Sequence, residues 1–148
     1  TYFRIQIVLS SKMSGLVLLD GKPVSAGMVK LTNVLRYTDE VFVSAVEISS
    51  KGKFGFDPEI ISRFRFLPYQ PVVDQSLLIE VDGNDFVIWK YSKMNYAING
   101  ESLPYQKIDP SVGVEVYMSD EGLNFTVQLK SNSDGSFSLG ADSDGDPN

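Results

Sequence analysis

The chain contains neither cysteine nor histidine. Without cysteine there is no disulfide framework and no thiol nucleophile, and the redox compartment cannot be inferred. Without histidine the chain lacks the usual general base at neutral pH and the commonest transition-metal ligand. These absences exclude Ser-His-Asp and Cys-His catalysis and argue against a zinc or copper site. We therefore expect no enzyme and no cofactor.

The chain also has no long apolar run. None approaches the roughly 18–20 residues that a helix needs to cross a bilayer. The first residues alternate like a strand, which is not typical of a signal peptide. Because the chain begins with Thr1 rather than Met, removal of a leader stays open, and so does the choice between bacterial periplasm and cytoplasm.

The composition is that of one folded domain, but the charge is unevenly distributed. Hydrophobic residues make up 43% and charged residues 22% of the 148 residues, close to globular averages. Residues 1–93 carry a net charge of +1, and residues 94–148 carry −7. Such a negative field repels nucleic acid and attracts a basic surface. We expect another protein with a basic surface as partner, and neither nucleic acid nor membrane insertion.

Short alternating runs separated by turn signals dominate the chain. Residues 2–9, 28–34 and 41–48 show the period of two that is typical of strands. Turns near residues 20–21, 82–84 and 119–122 join neighbouring runs and indicate hairpins. Turn signals about every 8–12 residues, without a long helical pattern, predict an all-β, antiparallel β-sandwich.

Two segments depart from this pattern. Residues 58–66 accommodate at most one short helix, because Asp57 and Pro58 are typical of a helix start. The end of the chain is rich in Ser, Gly and Asp, which favours weak order. We therefore predict a single sandwich domain over residues 1–130 and a flexible acidic tail over residues 131–148.

The sequence SGLVLLDGKPVSAGMV at residues 14–29 resembles the opening of a carboxypeptidase-regulatory-like, or transthyretin-like (prealbumin-like), β-sandwich domain. Such domains continue to a motif that residues 50–56 resemble, with Phe54 and Phe56 on one strand face. Small residues such as Gly27 let the chain pass close to its neighbour. More loosely, residues 77–101 are similar to an uncharacterised bacterial family built on this domain.

The resemblance implies a sandwich that serves as a structural or binding module. Transthyretin-like hydrolases of purine breakdown depend on histidines, and this chain has none. The resemblance therefore does not extend to that activity.

Tyrosines and charged side chains are the candidates for a contact surface. Tyrosine and tryptophan are favoured interface anchors, and residues 89–96 are the densest aromatic stretch. Alternation places Trp89, Tyr91 and Lys93 on one strand face, with Trp89 expected in the core. The predicted interface comprises Tyr69, Tyr91, Lys93, Tyr96, Tyr105, Glu115, Asp120 and Glu121.

Acidic side chains are the remaining candidates for metal binding or acid–base catalysis. Asp142, Asp144 and Asp146 have the spacing of the first half of a calcium loop, but the closing glutamate is missing. A solvated acidic tail is the alternative interpretation. Paired carboxylates elsewhere fall in predicted turns, where such residues are ordinary. We predict no catalytic residue.

Three functional hypotheses follow. The first is an immunity or inhibitor protein that neutralises a secreted bacterial toxin by binding it, with the acidic last third covering a basic active site. The second is a structural or carbohydrate-binding module of an extracytoplasmic protein. An enzyme with an unusual carboxylate or Ser-Lys site is a third, weaker reading. The partner, the toxin activity and the oligomeric state are open.

Overall fold

The computed structural model of the chain describes residues 3–65, 72–101 and 113–140. These residues form twelve strands and no helix. The strands are β1 (Phe3–Ser10), β2 (Met13–Leu19), β3 (Lys22–Pro23), β4 (Met28–Leu35), β5 (Glu40–Glu47), β6 (Lys53–Phe56), β7 (Glu59–Arg65), β8 (Val73–Val81), β9 (Asn84–Lys93), β10 (Val114–Ser119), β11 (Gly122–Ser131) and β12 (Phe137–Leu139).

Two large sheets pack face to face. The first has the order β10-β11-β2-β3, with β6 pairing with β2 and β12 pairing with β11. The second has the order β5-β4-β8-β9. The prediction of an all-β sandwich is confirmed, and most of its strand pairs are antiparallel. The strand pair β2 and β11 is parallel, however, a relation between distant segments that the local pattern did not reveal.

The main core lies between these two sheets. β8 alternates between buried and partly exposed residues along most of its length, as a strand with one face in the core requires. Trp89 of β9 meets Phe125 of β11 edge-on, with 5.6 Å between the ring centroids. Phe54 and Phe56 are both buried in this core, so the prediction that they share an inward face is confirmed.

Two of the three predicted hairpins turn through left-handed backbone. Asp20 and Gly21 have φ of 52° and 83°, and Asp82 and Gly83 have φ of 54° and 82°. Two successive residues of this kind form the turn whose twist matches that of the flanking strands. The third hairpin joins β10 to β11 through two residues, with Ser119 opposite Gly122.

After β3 the chain crosses from the first sheet to the second. Gly27 lies in this crossing with a φ of 149°. A Cβ atom at Gly27 would lie 2.6 Å from the carbonyl oxygen of Glu80 and 2.8 Å from Cδ1 of Ile48. The predicted close passage at this small residue is therefore confirmed.

A third sheet pairs β1 with β7 and covers a second, smaller core of Ile7, Leu9, Leu35 and Val73. β7 occupies most of the segment where the sequence allowed a short helix, and that helix is wrong for residues 59–65. The ladder to β1, in which Ile61 stands opposite Ile7, overrides the local signal for a helix start.

The end of the described chain also differs from expectation. β11 continues to Ser131, and β12 folds back on it, with Leu139 opposite Leu129. Asp134 holds the intervening turn, since its Oδ1 accepts hydrogen bonds from the backbone N–H and the hydroxyl of Ser136 at 2.9 and 2.6 Å. Ser131 and Phe137–Leu139 are therefore strand residues of the first sheet, within the segment that the sequence assigned to a flexible tail.

Candidate functional site

Buried polar side chains concentrate where β1 and residues 94–101 meet the end of the second sheet. β8 and β9 place their members of this group on inward-facing positions. The group, which we name the buried polar cluster, consists of Ser11, Gln75, Trp89, Lys93 and Glu101.

The carboxylate of Glu101 is the centre of the buried polar cluster. Its Oε1 accepts a hydrogen bond from the hydroxyl of Ser11 at 2.6 Å, and its Oε2 accepts one from the backbone N–H of Ser11 at 3.0 Å. Gln75 Nε2 donates to the same Oε2 at 2.8 Å. Trp89 Nε1 in turn donates to Gln75 Oε1 at 3.0 Å. These bonds compensate the burial of the carboxylate.

Lys93 has an exposure of 0%. Its ammonium group donates to the carbonyl oxygens of Val8 and Asn95 at 2.9 and 3.0 Å. Burial lowers the pKa of Lys93 from 10.5 to about 8, and the negative charge of Glu101 opposes that shift. A lysine with a lowered pKa is a feature of catalytic bases, but this one is enclosed by backbone carbonyls. We interpret Lys93 as a structural residue whose hydrogen bonds hold β9 to β1 and to the segment after β9.

Lys93 therefore cannot contact a partner, and its assignment to the interface is wrong. Trp89, Tyr91 and Lys93 do share one strand face, as predicted, but that face is the inner one. Tyr91 is half-buried and stacks on Trp89, with 5.4 Å between ring centroids. Tyr96 is also half-buried and packs on the second core.

The acidic candidates, unlike Lys93, lie on the surface of the protein. Glu115, Asp120 and Glu121 are exposed on the hairpin of β10 and β11. Tyr117, two residues after Glu115, is 60% exposed. Within the described residues, none of the three carboxylates forms an ion pair. We name the group of Glu115, Tyr117, Asp120 and Glu121 the acidic hairpin.

The tip of the acidic hairpin is held in place by local hydrogen bonds. The backbone N–H of Glu121 donates to the hydroxyl of Ser119 at 3.1 Å, and Asn99 Nδ2 donates to the carbonyl oxygen of Asp120 at 3.3 Å. The sequence analysis missed Tyr117. The alternation of β10 was the available signal, because it places residues two apart on one face.

The outer face of the second sheet is the other notable surface. Val41 and Val43 of β5 are 59% and 57% exposed, and Met28 and Val87 are also exposed. At one end of this face, Glu47, Glu80 and Asp85 lie in a single row across the sheet, with Glu80 directly opposite Asp85. Like charges in such positions repel one another.

The remaining predicted residues lie outside the described part of the chain. They are Tyr69, Tyr105 and the calcium candidates Asp142, Asp144 and Asp146. Within residues 3–65, 72–101 and 113–140, no three metal-ligating side chains form a group. No helix in those same ranges is long and apolar enough to span a membrane.

Fold and surface together define a β-sandwich domain with a buried polar cluster and an exposed acidic hairpin. The chain belongs to a domain family of unknown function, DUF6795, whose model matches residues 13–108. The matched range includes β2 to β9, whereas the acidic hairpin follows it. Comparison with curated proteins and with solved structures found no match.

Proposed function

We propose that this chain is a protein-binding domain that acts as an immunity or inhibitor protein, neutralising a secreted bacterial toxin by covering its basic surface. The scaffold we propose for it is a transthyretin-like sandwich. The observation that carries the proposal is the acidic hairpin, in which an exposed tyrosine lies among three exposed carboxylates.

The chemistry of the acidic hairpin fits a cationic partner. Its three carboxylates form no ion pair within the described residues, so no described side chain neutralises their charge directly. The field of such charges speeds the encounter with a positively charged surface and gives specificity. Tyr117 adds a large amphipathic ring with few rotatable bonds, which is typical of interface anchors.

The hairpin also presents these groups on a defined scaffold. Glu115 and Tyr117 lie on a strand paired with β11, and Asp120 and Glu121 occupy a turn whose backbone is hydrogen-bonded on both sides. A surface already held in its binding shape loses less conformational entropy on association. This supports recognition by preformed complementarity.

The test uses the protein encoded by the gene next to this one, purified as an inactive toxin variant. We expect a complex that weakens as salt is raised, because exposed charges are screened. The variant with Glu115→Gln, Asp120→Asn and Glu121→Gln should bind about tenfold more weakly or worse. Glu47→Gln, Glu80→Gln and Asp85→Asn together form a matched control, since they also remove three negative charges.

The outcomes separate the functional classes. Equal affinity of both triple variants and the parent would refute the acidic hairpin as the interface. Binding to an oligosaccharide that is lost in Tyr117→Ala but kept in the triple variant would instead favour a carbohydrate-binding module.

A further inference from the structure

β5 is an edge strand of the second sheet, and its outer edge is regular. It pairs with β4 from Leu35 opposite Glu40 to Met28 opposite Glu47 without a bulge. No described strand pairs with its other side. Eight residues of extended backbone therefore border the open edge of the sandwich.

The direction of the backbone groups of β5 follows from its ladder. Ile48 donates its N–H to the carbonyl oxygen of Gly27 at 2.8 Å, which continues the pairing of β4 with β5 by one residue. In an antiparallel ladder, hydrogen-bonded pairs alternate with pairs that are not bonded. Val41, Val43 and Ala45 therefore direct their N–H and C=O groups away from β4, toward the open edge.

Edge strands usually carry features that prevent pairing with another chain, such as lysine, proline, a bulge or very short length. β9, at the opposite edge of the same sheet, has a bulge where it pairs with Leu77 and Leu78 of β8, and it carries Lys90. β3 in the first sheet is two residues long and ends in Pro23. β5 has none of these features, since its only charged residues are Glu40 and Glu47 at its two ends.

A cleft of about 420 Å³ lies beneath this edge. It runs between the inward-facing side chains of β5 and the chain that follows β6. The lining residues that matter are Leu31, Ser44, Val46, Phe56, Asp57 and Glu59. One wall is apolar, and two carboxylates lie at the other end.

The polar end of the cleft has more acceptors than donors. Glu59 Oε1 accepts a hydrogen bond from Asn33 Nδ2 at 2.7 Å, and Glu59 Oε2 accepts one from the hydroxyl of Ser44 at 3.4 Å. Asn33 is itself fully buried and does not line the cleft. Asp57 is exposed and Glu59 is half-buried, and neither forms an ion pair within the described residues. Two carboxylates thus line the cleft, which makes it complementary to a cationic side chain.

We propose that β5 binds an extended segment of a partner protein by strand addition, and that a lysine or arginine of this segment enters the cleft toward Glu59. Side chains of an added strand alternate between the two faces. Every second one therefore lies over the cleft, and the others join the exposed valines of β5. This surface is distinct from the acidic hairpin, which includes the edge strand of the other sheet.

Charge argues against a second copy of this chain as the occupant. A second copy that paired through its own β5 would bring no lysine or arginine to the cleft, because the only charged residues of that strand are Glu40 and Glu47. Two copies would also each carry a net charge of −6, which opposes their association. A basic, extended segment of a different protein has the complementary charge.

The first test measures amide hydrogen exchange of the intact free protein by NMR. The amides of Val41, Val43 and Ala45 should exchange fast, while those of Phe42, Ser44 and Val46 should be protected by β4. Slow exchange of the first three in the monomer would mean that the edge is already occupied, which would overturn the proposal. Concentration-dependent protection together with a dimer in solution would overturn it in favour of self-pairing.

The second test adds a short blocked peptide in which lysine alternates with valine, and compares it with the same peptide carrying glutamate for lysine. The lysine peptide should shift the amide signals of β5 and the side-chain amide of Asn33. Val43→Pro removes an outward N–H that β4 does not use, so the shifts should be lost. Val43→Thr keeps that N–H and should respond like the parent.

A further variant keeps the result interpretable if Val43→Pro fails to fold. Glu59→Gln leaves the edge intact and removes the negative charge of the cleft, so the preference for the lysine peptide over the glutamate peptide should fall. Equal shifts with both peptides in the parent, or no shift in β5 with either, would overturn the proposal. Neither result would affect the acidic hairpin, which the toxin experiment tests separately.

Discussion

Glu101 accepts hydrogen bonds from both the hydroxyl and the backbone N–H of Ser11, although 90 positions separate the two residues in the sequence. The Ser11 hydroxyl also accepts a hydrogen bond from the backbone N–H of Asn99 at 2.8 Å. This pair fastens residues 94–101 onto the end of β1. The buried polar cluster thus joins segments that are distant in sequence. We call this connection between residues 94–101 and the end of β1 the clasp.

Removing the carboxylate at the centre of this clasp should be strongly destabilising. Glu101→Ala leaves the hydroxyl and N–H of Ser11 without their acceptor, and it removes one of the two acceptors of Gln75 Nε2, which keeps the carbonyl oxygen of Leu9. We expect a loss of roughly 3 kcal/mol in the free energy of unfolding, measured by urea denaturation. Glu121→Ala, at an exposed position, is the control and should change it by less than about 0.5 kcal/mol. Similar effects of the two variants would contradict the clasp.

The stability of the protein should rise with pH because of Lys93. Its pKa is about 8 in the folded state and 10.5 ordinarily, so between these values the unfolded state binds more protons. Stability attributable to Lys93 therefore increases by roughly 3 kcal/mol from pH 8 to pH 10.5. In Lys93→Met this increase should vanish, so the difference between parent and variant, measured by urea denaturation at several pH values, isolates it. Parallel pH profiles would refute the assignment.

Two glycines with positive φ should respond differently to alanine. Gly27→Ala places a Cβ atom 2.6 Å from a backbone oxygen, in addition to the strain of a φ of 149°. Gly83→Ala has open space around it and suffers only the backbone strain. We expect a loss of about 1 kcal/mol at Gly83 and at least twice that at Gly27. Thermal unfolding monitored by circular dichroism would show whether the order is reversed.

Substitution of Phe137 tests whether β12 contributes to the stability of the sandwich. Its side chain is partly buried against the main core, so Phe137→Ala should lower the free energy of unfolding by about 1–2 kcal/mol. Tyr117→Ala removes an aromatic ring that is 60% exposed and should have a much smaller effect. An unchanged midpoint of urea unfolding for Phe137→Ala would mean that β12 contributes nothing to stability.

The sequence by itself determined the hairpins and most of the strands of this protein, since their causes are local. Turns such as Asp20 with Gly21 need left-handed backbone, which Gly adopts freely and Asp tolerates, and alternation fixes which side chains share a face. The same alternation correctly placed Lys93 on the same strand face as Trp89. It did not determine whether that shared face was inside or outside, because a period of two is the same for both.

Tertiary structure decided everything that depends on partners far apart in the chain. The residues after Asp57 form a strand rather than the predicted helix because they pair with β1. Part of the polar end segment forms β12 because it pairs with the edge of β11. Lys93 lies in the interior and not in the predicted interface, because the carbonyl oxygens of Val8 and Asn95 accept its hydrogen bonds there. Likewise, the open edge of β5 exists only because of the strand order. No local pattern encodes which strand a sheet leaves without a neighbour.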